Sequence, residues 1–304
     1  MKNHTPVRIT LLLLLAFILC TAACARVTWL DDLDEAQKQA EQSNRQILAI
    51  FTSKNANMLC SYLAKEITDS PVFTKEAGQH FVLVNLDFPA DMHPGSAAPE
   101  DPKEALLLQY GIYQFPTILL LDSSGRSYAS CDYGGEESLE WLAQLTALKT
   151  QLQERDELLK NAVRETDIGK RLDAFVLAID TFSLWGIIGN YPELKNEVIR
   201  LDENNHAGLK AKYNVERAIG DISATYLATN GMAAGLGALK GLLTEYPQGE
   251  AAQQIYYTMA IIESRLGRVD DALRLMQNAI AAAPTSAVVE TIRATLRSLD
   301  FSPD

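Results

Sequence analysis

The 304-residue sequence is poor in cysteine, histidine and positive charge. Four cysteines are too few for a disulfide-stapled scaffold, which excludes that class of small secreted protein. The four histidines (His4, His80, His93 and His206) include no closely spaced pair of the kind that binds zinc, so no metal site is predicted. Lys and Arg together number 27 against 39 Asp and Glu, a net charge of −12. A nucleic-acid partner is therefore not expected, since phosphate binding needs a cationic surface.

The remaining composition is that of an ordinary globular protein. Hydrophobic residues make up 47% and charged residues 22% of the chain, which excludes a disordered or collagenous protein. The length predicts two domains of about 150 residues each. There is no glycine-rich phosphate loop of the GxxxxGK[ST] type, and no cofactor is predicted.

Residues 1–25 have the pattern of a secretory signal. Lys2 and Arg8 precede the apolar run LLLLLAFIL, and small residues follow it. The run is too short to cross a bilayer, which takes about 20 residues. Cleavage after Ala25 would release a soluble protein, and this is the outcome we favour. Cleavage before Cys24 is the alternative, because TAAC resembles a lipobox, and lipidation of Cys24 would then anchor the protein to a membrane.

Residues 26–147 alternate between helical and extended patterns. Short apolar runs predict strands at 46–51, 81–87 and 117–121, and a turn at residues 123–125 predicts a returning strand at 126–131. Helical spacing is found between these runs; it places Leu59, Leu63 and Ile67 on one stripe and Leu139, Leu142 and Leu145 on another. The alternation predicts an α/β fold with a mixed sheet that is covered on both faces.

Two segments of this region, FTSKNANMLC and GIYQFPTILLLDSSG, resemble the thioredoxin family, and most closely its exported bacterial branch. The resemblance covers about residues 29–147. It implies that Pro116 follows a cis peptide bond and faces the active site, with Phe115 and Thr117 beside it in a peptide-binding cleft. It also implies that Asn57 stands where the nucleophilic cysteine belongs and that Cys60 is the second, resolving cysteine. For localisation, it implies the periplasm or cell envelope of a bacterium.

Three interpretations of Cys60 remain open. It is a small buried core residue, since free cysteine is among the most buried residue types; or it forms a disulfide with Cys131; or it acts as a single thiol on a partner. The segment Asn57-Met58-Leu59-Cys60 cannot form the intramolecular disulfide of a CxxC motif. Asn57 is also a good residue with which to start a helix.

Residues 148–304 show helical patterns without a convincing strand. Helices are predicted near 168–186, 192–200, 207–227, 231–245, 249–265, 269–282 and 286–299. One stretch is similar to a tetratricopeptide repeat, with the matching residues Tyr256, Met259, Ala260, Gly267, Ala272, Met276, Ala279 and Pro284. The resemblance implies that this all-α domain binds peptides or proteins; the alternative is that it only braces the first domain.

Together these features lead to one preferred function and one alternative. The preferred hypothesis is a peptide-binding or assembly factor of the cell envelope, with a polypeptide partner and no redox turnover. The alternative is a thiol-disulfide oxidoreductase or isomerase that acts through Cys60 alone or with Cys131.

Overall fold

The α/β part of the chain begins with a helix and places a strand after most of its helices. The computed structural model describes residues 27–53, 57–89, 102–227 and 231–300. The signal predicted at residues 1–25, including Cys24, lies outside these ranges. The elements of this part are α1 (Leu33–Ser43), β1 (Gln46–Thr52), α2 (Met58–Leu63), α3 (Pro71–Ala77), β2 (Phe81–Asp87), α4 (Pro102–Tyr110), β3 (Thr117–Leu121), β4 (Ser127–Ser130) and α5 (Ser138–Ala147). A five-residue π-helical turn, Ala64–Thr68, extends α2.

The four strands form one mixed sheet in the order β2-β1-β3-β4. β1 pairs with β2 in parallel, whereas β3 is antiparallel to both β1 and β4. The register places Ile50 opposite Ile118 and Leu48 opposite Leu120, so apolar side chains meet across the strands. The predicted fold class is confirmed, and the strands at 81–87 and 117–121 lie where their apolar runs predicted them.

Each face of the sheet carries its own hydrophobic core, because successive side chains of a strand point to opposite faces. Leu48 and Ile50 of β1 lie in the core under α2, α3 and α5, where Trp141 and Phe73 are fully buried. Ile47, Ala49 and Phe51 lie in the opposite core, under α1 and α4. Helices therefore cover both faces, as the alternating pattern predicted.

The first leucine of each stripe predicted from helical spacing lies on the surface, and the prediction that Leu139 faces inward is wrong. Leu59 is 47% exposed and Leu139 is 42% exposed. In α2 the buried stripe runs through Cys60, Leu63 and Ile67 instead, which turns the preceding position toward solvent. In α5 the buried residue of the first turn is Trp141, whose ring packs against Phe73 at a centroid distance of 5.6 Å. A large aromatic ring fills that space, and the smaller leucine is left outside.

The second part of the chain is helical throughout its described residues. Its elements are α6 (Thr150–Arg164), α7 (Ile168–Leu184), a 3₁₀ turn (Ile188–Asn190), α8 (Pro192–Leu201), α9 (Leu209–Ile222), a π-helical turn (Ser223–Leu227), α10 (Met232–Glu245), α11 (Gly249–Arg265), α12 (Val269–Ala282) and α13 (Val289–Asp300). The predicted C-terminal helical domain is therefore present.

The helices α11 and α12 form a closely packed hairpin. Gly267 makes the turn with φ of 76°, a left-handed conformation that glycine adopts without steric cost. Ala260, Ala272 and Ala279 are fully buried between the helices, and their small side chains allow the close approach. Buried Gln253 donates to the carbonyls of Ala279 and Ala283 at 3.0 Å each, so carbonyl groups at the end of α12 are hydrogen bonded.

The helical part packs against β4, the edge strand of the sheet. The side chain of Asn190 accepts a hydrogen bond from the backbone N–H of Ser127 at 2.9 Å, and the hydroxyl of Tyr191 donates to the Ser127 carbonyl. Ser130 Oγ donates to the carbonyl of Trp185 at 2.6 Å. These contacts satisfy polar groups of an edge strand that would otherwise be open to pairing with another chain.

A buried arginine joins the two parts of the chain. Arg155 on α6 is 5% exposed and pairs with Asp122, after β3, at 2.8 Å. It also donates to the hydroxyl of Tyr191 at 3.1 Å. A second carboxylate, that of Asp156, lies 2.6 Å from the Arg155 guanidinium group. The junction therefore contains a hydrogen-bonded ion pair.

Candidate functional site

Asn57 stands between the end of β1 and the start of α2. Its backbone is extended, with φ of −160° and ψ of 168°, and its side-chain Oδ1 accepts the backbone N–H of Cys60 at 2.9 Å. Asn57 is therefore the N-cap of α2, a position where asparagine is among the preferred residues because it satisfies a free helical N–H. The N–H that Asn57 caps belongs to Cys60, the second cysteine position of the family pattern.

The other end of the same side chain reaches the loop before β3. Asn57 Nδ2 donates to the backbone carbonyl of Phe115 at 2.8 Å. The Phe115–Pro116 peptide bond is cis, as the family resemblance implies. Thr117 Oγ1 donates to the carbonyl of Gln114 at 2.7 Å and closes this loop. One amide side chain thus joins the first turn of α2 to the cis-proline loop, two elements far apart in sequence.

Phe115 is half-buried, and it holds the cis-proline loop against the core. Its ring stacks on Phe88 at a centroid distance of 5.3 Å, and Phe88 stacks in turn on Phe51 of β1 at 6.2 Å. The side chain of Phe115 therefore has a packing role. Its backbone carbonyl, in contrast, is the group that meets Asn57.

Cys60 is fully buried and carries a free thiol. It lies in the first turn of α2, on the inward stripe with Leu63 and Ile67. A thiol in this position is shielded from a disulfide in solution. The burial agrees with the interpretation of Cys60 as a small core residue.

Cys131 follows β4 and is half-buried, also with a free thiol. Its Sγ donates to the carbonyl of the neighbouring Asp132 at 3.2 Å. Burial raises the pKa of the Cys131 thiol, and the carboxylates of Asp132 and Glu136 raise it further, which disfavours the reactive thiolate. The structure holds Cys60 and Cys131 as separate thiols, so the disulfide considered between them is not formed in it.

Three apolar side chains at the start of α2 lie on the surface, which the sequence pattern did not predict. Met58 is 87% exposed, and Leu59 and Tyr62 are 47% and 43% exposed. We call these three residues the α2 apolar face. Tyr62 stacks on Tyr133 at a centroid distance of 6.0 Å. The helical period could have predicted this exposure. A helix turns 100° per residue, so an inward Cys60 leaves the two preceding positions facing solvent.

Neither a metal centre nor a membrane span is found within the described ranges. Those residues contain no group of three or more His, Cys, Asp or Glu side chains placed to hold a metal ion. None of the helices formed by them is both long and apolar enough to cross a bilayer.

The α/β part of the chain matches the family model of a thioredoxin-like domain over residues 33–149. The mixed sheet and the cis proline before β3 agree with the match. Residues 33–149 form a thioredoxin-like domain. The match to the thioredoxin-like domain ends two residues after the boundary predicted between residues 147 and 148, and that boundary stays a prediction.

Two relatives come from Chlamydia pneumoniae. The disulfide bond reductase DsbH is 29% identical over 107 residues, which cover 35% of this chain and 63% of DsbH. The thioredoxin-related protein DsbJ is 27% identical over 137 residues, 45% of this chain and 38% of DsbJ. The chain thus spans less than two thirds of either relative. A solved DsbH oxidoreductase structure matches with 25% identity and a TM-score of 0.35, covering 42% of this chain and 88% of that one.

Proposed function

We propose that this protein binds polypeptides at the cleft beside cis-Pro116 and does not catalyse dithiol exchange. The observation that carries the proposal is the double contact of Asn57, which caps α2 and donates to the Phe115 carbonyl. An amide at this position stabilises the cleft but supplies no nucleophile. The exposed α2 apolar face lies beside it and offers a surface for apolar side chains of a client.

The chemistry of thiol-disulfide exchange supports this proposal. A thiolate attacks one sulfur of the substrate disulfide and forms a mixed disulfide, which a second thiolate then resolves. The family resemblance implies that Asn57 replaces the attacking cysteine, and Cys60, in the resolving position, is fully buried. The segment therefore lacks the exposed thiolate that the first step needs.

The alternative is a thiol-disulfide oxidoreductase or isomerase that works through Cys60 alone or with Cys131. It is favoured by the family match and by the names of the relatives, one of which is a disulfide bond reductase. It requires the Cys60 sulfur to become accessible. The raised pKa of Cys131 argues against Cys131 as the attacking thiol.

Reduction of insulin disulfides by dithiothreitol separates these two functions. We expect the wild-type protein to run at the background rate, and Asn57→Cys to gain activity, because it restores two cysteines in CxxC spacing. Cys131→Ser is the matched control and should leave both rates unchanged. Wild-type turnover that Cys60→Ser abolishes would establish the alternative instead.

Polypeptide binding itself is testable with an unfolded protein. The probe is fluorescein-labelled α-lactalbumin that has been reduced and carboxymethylated, and the measurement is fluorescence anisotropy. Met58→Ser should weaken binding, since Met58 is 87% exposed on the α2 apolar face. Leu184→Ser is the control, because Leu184 is 86% exposed on α7. Equal effects of the two changes would contradict binding at the cleft.

We further propose that the helical part is a tetratricopeptide-like domain that holds part of the same client, and that the protein acts as an assembly factor of the cell envelope. Residues 1–25 would direct export, and their removal would release the protein in soluble form. N-terminal sequencing of the mature protein tests this, with Arg26 expected as the first residue. Radiolabelled palmitate incorporated into wild type but not into Cys24→Ser would show the lipid-anchored form instead.

A further inference from the structure

A large groove lies between the thioredoxin-like domain and the helical part. Its volume is about 1120 Å³, and its lining includes residues of α4, the 3₁₀ turn, α8 and α9, together with Arg126 just before β4. Pockets for small molecules typically enclose about 300 to 1,000 Å³ and are mostly apolar. This groove is larger, and charged side chains contribute to its lining. Its size suits an extended chain better than a compact small molecule.

The lining of the groove contains glycines from both sides. A Cβ atom placed on Gly189 would lie 2.6 Å from the Cα of Gly111, so the two parts of the chain approach each other backbone to backbone. Gly220 on α9 also lines the groove, and a Cβ there would meet no atom within 4 Å. The glycines at 111 and 189 are thus used for packing between the two parts of the chain, and only Gly220 leaves open space in which a bound backbone can come close.

Three cations line the groove, and within the described part of the chain two of them pair with carboxylates. Arg126 pairs with Glu193, and Lys195 pairs with Glu216. Arg217 is exposed and donates to the side-chain oxygen of Asn196 at 2.8 Å. Among the residues that the structure describes, no carboxylate forms an ion pair with Arg217. The groove therefore offers a guanidinium group to an incoming carboxylate.

The groove lining also contains two exposed apolar side chains. Tyr113 is 71% exposed and Leu108 is 47% exposed, and both line the groove. Tyr113 precedes Phe115 by only two residues, and the carbonyl of Phe115 is the group that Asn57 contacts. The groove lining therefore includes a residue that is close in sequence to the cis-proline loop.

We propose that this groove is a second binding site for the client polypeptide, and that it takes an extended segment with apolar side chains and a carboxylate. The apolar side chains would pack on Tyr113 and Leu108, and the carboxylate would pair with Arg217. The proposal rests on the function proposed above, because it assumes that the client is a polypeptide. It adds a location and a charge preference that the cis-proline cleft does not supply.

Two labelled dodecapeptides test the charge preference by fluorescence anisotropy with the full-length protein. In the acidic peptide, leucine and aspartate alternate, and glycines flank this stretch. The neutral peptide has asparagine in place of every aspartate. Arg217→Gln should weaken binding of the acidic peptide about two- to fivefold, the range of an exposed ion pair, and leave the neutral peptide unchanged. Arg265→Gln, a change of an exposed arginine on α11, is the matched control.

The apolar part of the lining is tested with Tyr113→Ser, which should weaken both peptides about fivefold or more. Leu184→Ser is the control. Equal effects of Arg217→Gln and Arg265→Gln on the acidic peptide, or no effect of Tyr113→Ser, would overturn the proposal.

The outcomes also separate this site from the cleft. If Met58→Ser weakens both peptides but Arg217→Gln and Tyr113→Ser do not, the groove is refuted and the cis-proline cleft stands. If the groove changes weaken binding and Met58→Ser does not, the groove stands and binding at the cleft is refuted. Binding of neither peptide to the wild type would overturn both proposals.

Discussion

The two hydrogen bonds of Asn57 predict separate contributions to stability. Asn57→Ala removes both the cap on the Cys60 N–H and the bond to the Phe115 carbonyl. Asn57→Ser keeps an oxygen that can cap the helix, because serine and asparagine are comparable N-caps. The serine side chain is one atom shorter, and it cannot also reach the loop before Pro116. Comparison of the two variants therefore isolates the contact between α2 and the cis-proline loop.

The expected magnitudes follow from these contacts. Loss of the hydrogen bond to Phe115 should cost about 0.5 to 1.5 kcal/mol, the usual net value of one hydrogen bond. Loss of an N-cap costs about 1 kcal/mol. Asn57→Ser should thus lower the free energy of unfolding by about 1 kcal/mol, and Asn57→Ala by about 2 kcal/mol.

Urea unfolding followed by tryptophan fluorescence measures this difference. The chain has three tryptophans, of which Trp29 and Trp141 pack in the core of the thioredoxin-like domain and Trp185 lies in the helical part. A Trp185→Phe background restricts the signal to the domain that contains Asn57. Equal destabilisation by alanine and serine would refute the contribution of the Phe115 contact. No destabilisation by either would refute the whole argument.

Three further predictions concern the junction and the helical packing. Arg155→Ala should lower the free energy of unfolding by about 3 to 5 kcal/mol in a urea titration, because it leaves Asp122 partly buried without its cation. Burial would raise the pKa of Asp122, but hydrogen bonds from Ser124, the Arg126 N–H and Arg155 outweigh it and lower that pKa below 3.8. The resulting stability is present above about pH 3.8 and is lost as the pH falls through the lowered value, so the urea midpoint should drop there in wild type and less in Asp122→Asn. Ala260→Leu should cost about 1 to 3 kcal/mol in thermal unfolding, because Ala260 is fully buried between helices.

Local pattern predicted the elements of this protein well. β2 and β3 occupy the residues of their apolar runs, and α11 and α12 have the predicted bounds. These segments have strong periodicity and clear end signals, such as Gly267 in the turn between the two helices. Pattern failed where several apolar residues compete for one inward position, as with Leu139 beside Trp141.

The candidate site was only partly predictable. The family resemblance singled out Asn57, Cys60 and Pro116, but it could not show how Asn57 is used. The contact between Asn57 and the Phe115 carbonyl joins residues 58 positions apart, and no local pattern encodes such a distance. The exposure of Met58 likewise follows from which side of α2 faces the core.

The sequence by itself determined the order of elements, the mixed sheet followed by helices, and the absence of a cysteine at Asn57, because these depend on local periodicity and residue identity. Only the tertiary structure decided that Arg155 joins the two parts through Asp122, and that a groove lined by Arg217 lies between them. Those features arise when surfaces distant along the chain come together. Their energetics depend on burial and on distances between side chains, which exist only in the folded protein.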